Sequence, residues 1–188
     1  TDILTGANES ILYIIQELCD KNLQQHLMSK GGNISEEAAV HLGLQILQGL
    51  KELHEKGFNH RNLHLDNILF KGDVCKISDL VLGIDKEIHS TVIRRNDFCA
   101  PESLKNETAS VAADIWTFGV IMHTAIFGEH PFSTRGLSEQ QTVMSVALDP
   151  YLIPNRPVIS PECRDMLMKC LEKDPALRIK AVELCQHE

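Results

Sequence analysis

The stretch FNHRNLHLDNILFKGDVCKISDL, residues 58–80, decides the reading of this chain. Its second half holds two short apolar runs, "NILF" (67–70) and "VCKIS" (74–78), split by "KGD". Gly and Asp between two such runs are hairpin punctuation, so this half predicts a pair of antiparallel strands. The first half is a polar loop feeding that hairpin: His60, Arg61, Asn62, His64, Asp66 and Asn67 fall within eight residues. It reads as a candidate functional loop, crowded with side chains that can donate, accept or ligate.

Upstream, a helix delivers the chain into this loop. Ser35 is a candidate N-cap and Glu36 and Glu37 favour the positive end of the helix dipole. Val40, Leu44, Ile46, Leu47, Leu50 and Leu53 supply a broad apolar face, and Gly57 ends it. Further upstream, "ILYIIQEL" (11–18) is short, rich in Ile and bounded by polar residues, as a buried strand would be.

Downstream the pattern is helical. The run "VAADIWTFGVIMHTAIFG" (111–128) is long enough to suggest a membrane span, but it contains Asp114 and His123 and has no basic anchors at its flanks. A helix that is apolar all round and carries one acid is expected to be the buried axis of a soluble domain. Ser138 with Gln141 forms a capping box, and Ser160 before Pro161 starts another helix. The expected fold is mainly α with short β-hairpins.

Composition narrows the function. At 188 residues and 43% hydrophobic, the chain supports one sizeable core, and no internal boundary or repeat divides it. Eighteen basic against 26 acidic residues, a net charge of −8, leave no basic footprint, so no nucleic acid is expected to bind directly. The six cysteines show neither C-x-x-C nor zinc spacing and are expected to be reduced, mostly buried thiols. "TDILTGANES" lacks a signal-peptide pattern, so a cytoplasmic location is expected, and the sequons at Asn8, Asn33 and Asn106 are read as chance matches. His26, His41 and His54 lie on helical segments without ligand spacing, and none predicts a metal site.

Order and spacing carry more than any one triplet. His60-Arg61-Asn62, then Asn67, then Asp79-Leu80, then Ala100-Pro101-Glu102, then Asp114-Ile115-Trp116 with Phe118-Gly119, and finally Arg178 in "DPALR" form a colinear set. The set resembles the eukaryotic protein kinase family, from the middle of its fold to its end. The resemblance implies a kinase-like large lobe over residues 20–188, with 1–19 as the last small-lobe strands and hinge. Nothing before Ile11 matches a Gly-rich loop or a strand lysine, so the small lobe is expected to be mostly absent.

The resemblance also implies roles. Asn67 and Asp79 stand where the family holds magnesium through oxygen ligands. Backbone groups of Glu17 and Cys19 would form the hinge bonds to adenine, above a floor at Leu69. Glu102 and Arg178 resemble a buried ion pair, Asp114 resembles the acid that caps the catalytic-loop backbone, and His60 would pack under Leu80 in an internal apolar column. Arg61, Arg94 and Arg95 suggest a receiver for a phosphate on Ser90 or Thr91, against a solvated surface as the plainer reading.

The departures fall on the chemistry. Asn62 replaces the aspartate that accepts the substrate proton, His64 replaces a lysine, Val81 replaces a glycine, and Arg94-Arg95 replaces a Gly-Thr pair. Loss of a general base alone costs typically about 10²–10⁴-fold in rate. The expected function is therefore that of a pseudokinase, a binding or allosteric module for protein partners. It would require no cofactor, and ATP and Mg2+ could bind only beside an intact small lobe. One competing reading is an active serine/threonine kinase with Asp66 as substitute base. Another follows from "ELCDKNLQQHL" and "FGEHPFS", which resemble the kinase-homology regions of the stress-sensing kinase–nucleases and ribonuclease L. "LHLDN" is similar to aminoglycoside phosphotransferases, but "APE", "DIW" and Arg178 argue against that family.

Overall fold

A computed structural model describes residues 2–5, 12–80, 96–104, 110–132 and 138–186. Val81, Ser90, Thr91, Arg94, Arg95, Asn8 and Asn106 lie outside the described residues. Strands β1 (Asp2–Thr5) and β2 (Leu12–Ile15) form an antiparallel ribbon, with Asp2 opposite Ile15 and Thr5 opposite Leu12. The strand expected over 11–18 thus stops at Ile15, and its end is not buried: Ile15 is 49% and Leu18 84% exposed. Its pairing is with β1 alone in a two-stranded sheet.

A second sheet has the order β3 (Lys21–Asn22), β4 (Ile68–Lys71), β5 (Val74–Ile77), all antiparallel. The β4–β5 hairpin lies within one residue of the sequence expectation at each strand, because Asn67 belongs to a single 3-10 turn, Leu65–Asn67, rather than to β4. Gly72 turns the hairpin at φ 58°, a conformation that costs glycine little. The edge strand β3 leads directly into helix α1 (Leu23–Ser29). Asn22 caps α1 by accepting from Gln25 N, while the Gln25 side chain accepts from Asn22 N.

Helix α2 (Glu36–Glu55) starts at Ser35, whose side chain accepts from Ala38 N at 3.3 Å. Its buried stripe is Ala39, Leu42, Gly43, Ile46, Leu47 and Leu50. Val40 and Leu44 were expected on that face but are 45% and 54% exposed. They sit one flank round the helix, at the mouth of a groove shared with Cys163 and Met166.

After the short α3 (Pro101–Leu104), helix α4 (Val111–Phe127) runs through the middle of the domain with 13 of its 17 residues buried. Gly128 closes it in the left-handed region at φ 76°. No helix of the described residues is long and apolar enough to cross a membrane. Helix α5 (Glu139–Leu148) has the expected capping box, with Ser138 N donating to Gln141 Oε1 at 2.8 Å. Helix α6 (Pro161–Cys170) starts at Ser160 with proline first, and α7 (Ala181–Leu184) packs against α2.

Glycine lets two helices approach α4 closely. A Cβ at Gly119 would meet Cys170 Cβ at 2.7 Å, on α6, and one at Gly43 of α2 would meet the Met122 methyl at 2.9 Å, on α4. Farther along α4, buried His123 bonds Tyr151 through Nδ1 at 2.8 Å. Of the six cysteines, all unpaired, only Cys163 and Cys170 are fully buried; the other four are half-buried, fewer deep thiols than expected.

Candidate functional site

The polar loop hangs from α4 by one carboxylate. Asp114, 3% exposed, accepts His60 N–H through Oδ2 at 2.8 Å and Arg61 N–H through Oδ1 at 3.0 Å. His54, in the last turn of α2, bonds the same Oδ2 through Nε2 at 2.9 Å. Three donors on one buried carboxylate satisfy a group that would otherwise be costly to desolvate. The sequence marks His54 only as a helical histidine without ligand spacing, because its partner is 60 residues away and no local spacing announces the contact.

His60 is wholly buried, and its two ring nitrogens have opposite roles. Nδ1 accepts Asn62 N–H at 3.3 Å, which leaves Nε2 to donate to Ser78 O at 2.9 Å. Burial lowers its pKa, more than Asp114 and the Ser78 carbonyl raise it, so the ring is a neutral strut joining the loop to the end of β5. Leu80, expected above it in an apolar column, is 40% exposed. His60 is thus held by polar contacts on both sides of the ring.

Arg61 and Asp79 have positive φ, 67° and 64°, an uncommon and strained state for residues with a Cβ. The twist brings Asp79 over the loop. Asn62 Nδ2 donates to Asp79 Oδ2 at 3.0 Å, and Asn67 Nδ2 reaches the same oxygen at 3.3 Å and Asn62 O at 2.8 Å. Ser78 N and Oγ both donate to Asn67 O, at 2.9 and 3.1 Å. Asn62, Asn67 and Asp79 therefore form one network, whose Asp79 Oδ1 and Asn67 Oδ1 accept no hydrogen bond among the described residues. Two hard oxygens fit one side of a divalent cation that takes its remaining ligands from phosphate and water. No cluster of three or more His, Cys, Asp or Glu side chains suited to a metal occurs among the described residues.

His64 and Asp66 turn the other way. His64 Nδ1 accepts Asp66 N–H at 3.2 Å, and Asp66 Oδ1 accepts from Asn22 Nδ2 at 3.1 Å. Asp66 is thereby engaged with the β3–α1 junction rather than with Asn62. Neither Asn22 nor Ser78 was singled out in the sequence, although the "N-L-Q-Q" capping pattern made Asn22 legible as a cap.

Leu69 is half-buried in β4, opposite Asn22 and Lys76. The segment after β2 passes the same sheet. Glu17 forms a short ion pair with Lys76, which lowers its pKa and raises that of Lys76, while Lys71 Nζ donates to Leu18 O at 3.0 Å. Cys19 Sγ lies 3.8 Å from Glu17 O. Glu17 is thus tied to Lys76, the β5 residue opposite Leu69, while Cys19 contacts the Glu17 carbonyl.

On the far side of the loop, Glu102 and Arg178 meet in a two-pronged pair, Nη1 to Oε1 at 2.6 Å and Nη2 to Oε2 at 3.0 Å, with both residues buried. Arg178 also donates to the carbonyls of Ala112, Glu172 and Lys173 and lies 5.1 Å from the Trp116 ring centre. This pair ties α3 to the start of α4 and to the turn before α7.

Comparison with known proteins adds a family likeness. A family model described as "Protein kinase domain" matches residues 4–188. The chain is 33% identical over 184 residues to serine/threonine-protein kinase PLK4 of Aedes aegypti, an alignment covering 95% of this chain and 23% of that protein. It is 36% identical over 183 residues to a putative protein kinase C delta type homolog of Drosophila melanogaster, covering 93% and 26%. With the CDPK-related kinase 5 of Arabidopsis thaliana the figures are 32% over 185 residues, 94% and 30%. The chain spans about a quarter of the length of these relatives.

Proposed function

The chain belongs to the protein kinase domain family, and from that premise we propose that it is a catalytically impaired member, a pseudokinase that works as a binding or allosteric module for protein partners. The observation that carries this reading is the 3.0 Å bond from Asn62 Nδ2 to Asp79 Oδ2. At the position from which the family's aspartate takes the substrate proton stands an amide, which is no base near neutral pH and which here points an N–H at Asp79, the residue standing where the family binds magnesium. The loss of a positioned base costs about 10²–10⁴-fold. His64 adds to it, since its Nδ1 accepts from Asp66 N at the position where the family's lysine would face the transferred phosphoryl group.

In this reading nucleotide would be a ligand rather than a substrate, and only beside an intact small lobe. Backbone groups at Glu17 and Cys19 would meet adenine above Leu69, and Asn67 and Asp79 would hold magnesium, whose charge would offset that of the phosphates. Asn62 keeps the Asp79 carboxylate oriented without that cation. The net charge of −8 favours protein partners over nucleic acid, in a cytoplasmic setting.

The names of the relatives favour a second reading, an active serine/threonine kinase with an altered loop. It needs another base, and the nearest carboxylate in the loop, Asp66, is bonded to Asn22 on the opposite side. Incubation with radiolabelled ATP and generic protein substrates decides between them. We expect no incorporation above that of an Asp79→Ala control; transfer that disappears in that control would establish the active reading.

A further inference from the structure

We propose that a cavity behind the catalytic loop, unconnected with nucleotide, is a regulatory site for a small amphipathic carboxylate. The cavity has a volume of about 410 Å³ and lies between the end of α2, the start of α4 and the segment 175–182. That volume is within the usual range of small-molecule sites, roughly 300–1,000 Å³. Its wall is apolar, with Val111, Ile115, Ile179 and Val182, and two of these are half-exposed: Val111 is 40% and Val182 48% exposed.

Charge selects the occupant. Lys51, Glu55 and Lys180 are also on the wall. Lys51 lies 3.9 Å from Glu55, whereas Lys180 has no ion pair among the described residues, so these three carry one cation in excess. An aliphatic tail against the valines with a single carboxylate at Lys180 satisfies both features. A neutral lipid would leave the cation unmatched, and a polyanion would meet Glu55.

Two residues of the same wall reach the candidate site. His54 is bonded to Asp114, which holds the backbone N–H groups of His60 and Arg61, and Arg178 is paired with Glu102. A ligand pressed against His54 is therefore two hydrogen bonds from the polar loop. The proposal does not rest on whether the loop is catalytically competent.

Decanoate, below its micelle concentration, is the probe. Calorimetric titration of the protein should give saturable one-to-one binding, and the amide resonances of His60 and Arg61 should shift on the same isotherm. Val111→Trp and Val182→Trp, both at half-exposed positions that tolerate bulk without disturbing the core, should each abolish binding by filling the cavity. Lys180→Ala should weaken it by roughly three- to tenfold. Absence of saturable binding, equal binding of decanol, binding untouched by both tryptophans, or binding that leaves the His60 and Arg61 amides in place would each overturn the proposal.

Discussion

Asn62 and Asp79 are joined side chain to side chain across 3.0 Å, amide N–H to carboxylate oxygen, where an aspartate at position 62 would bring two carboxylates together. An amide there turns a repulsion that requires a cation into an attraction that does not. Asn62→Asp should restore the repulsion. Because Asp79 is exposed, the expected loss is modest, about 1 kcal/mol. Denaturant midpoints measured in EDTA should fall by that amount, and millimolar Mg2+ should recover much of it, since a hard cation between two carboxylates removes the repulsion. Identical midpoints for the two proteins in EDTA would show that the hydrogen bond contributes nothing.

The Glu102–Arg178 pair should tolerate loss of one partner poorly. Arg178 is 4% exposed, so Glu102→Ala leaves a guanidinium with carbonyl partners but no counter-charge, at a cost of about 3–5 kcal/mol. Glu102→Gln keeps an acceptor for Arg178 and should cost distinctly less. Urea unfolding of the three proteins side by side would expose an error in this ranking if the Gln and Ala variants unfold together.

Acid should unfold this protein partly through His123. Burial lowers its pKa from 6.5 to about 3, so between those values the unfolded chain binds a proton that the folded chain refuses. Stability then falls as pH falls, by about 1.4 kcal/mol per pH unit for one proton. His123→Gln removes the titrating group and keeps a polar partner for Tyr151. Its stability should be flatter by about that slope from pH 6 to pH 4, as read from chemical denaturation at each pH; an unchanged slope would place the acid sensitivity elsewhere.

Two glycine-to-alanine changes should differ in sign. In a helix interior alanine is favoured over glycine by about 1 kcal/mol. At Gly43 the obstacle is the methyl and sulfur of Met122, the pliant end of a long side chain, so Gly43→Ala should be neutral or stabilising. At Gly119 the obstacle is Cys170 Cβ at 2.7 Å with Leu171 Cδ2 at 3.0 Å, which move only if α6 moves. Gly119→Ala should lose about 1–3 kcal/mol. Thermal melts that shift the same way for both would refute the distinction.

Much of this was legible in the sequence where the signal is local or periodic. Ser35, Ser138 and Ser160 announce their helices, and the apolar run at 111–128 fixes α4 as the buried axis. Helix α1 is the exception among capped helices: Asn22 and Gln25 form a capping box, but the seven-residue helix is too short to show a period. Val40 and Leu44 were read as core because periodicity gives the width of an apolar stripe and not which edge of it meets a neighbour. The contacts that organise the polar loop were the least visible. His54 reaching Asp114 and Asn22 reaching Asp66 join residues 60 and 44 positions apart, and nothing in either local pattern encodes its distant partner.

The tether at Asp114 has a consequence for what mutation can do to this loop. Two of its three bonds are to main-chain N–H groups, those of His60 and Arg61, and every residue except proline offers that group. The anchor is therefore indifferent to the side chains it positions. Substitutions at residues 61 and 62 can erase or invent chemistry while the backbone stays pinned, with proline the one letter the anchor rejects at 60 and 61. The tether at Asp114 therefore survives a change of side chain at residue 62, which makes this a place where an activity can vanish and the fold remain.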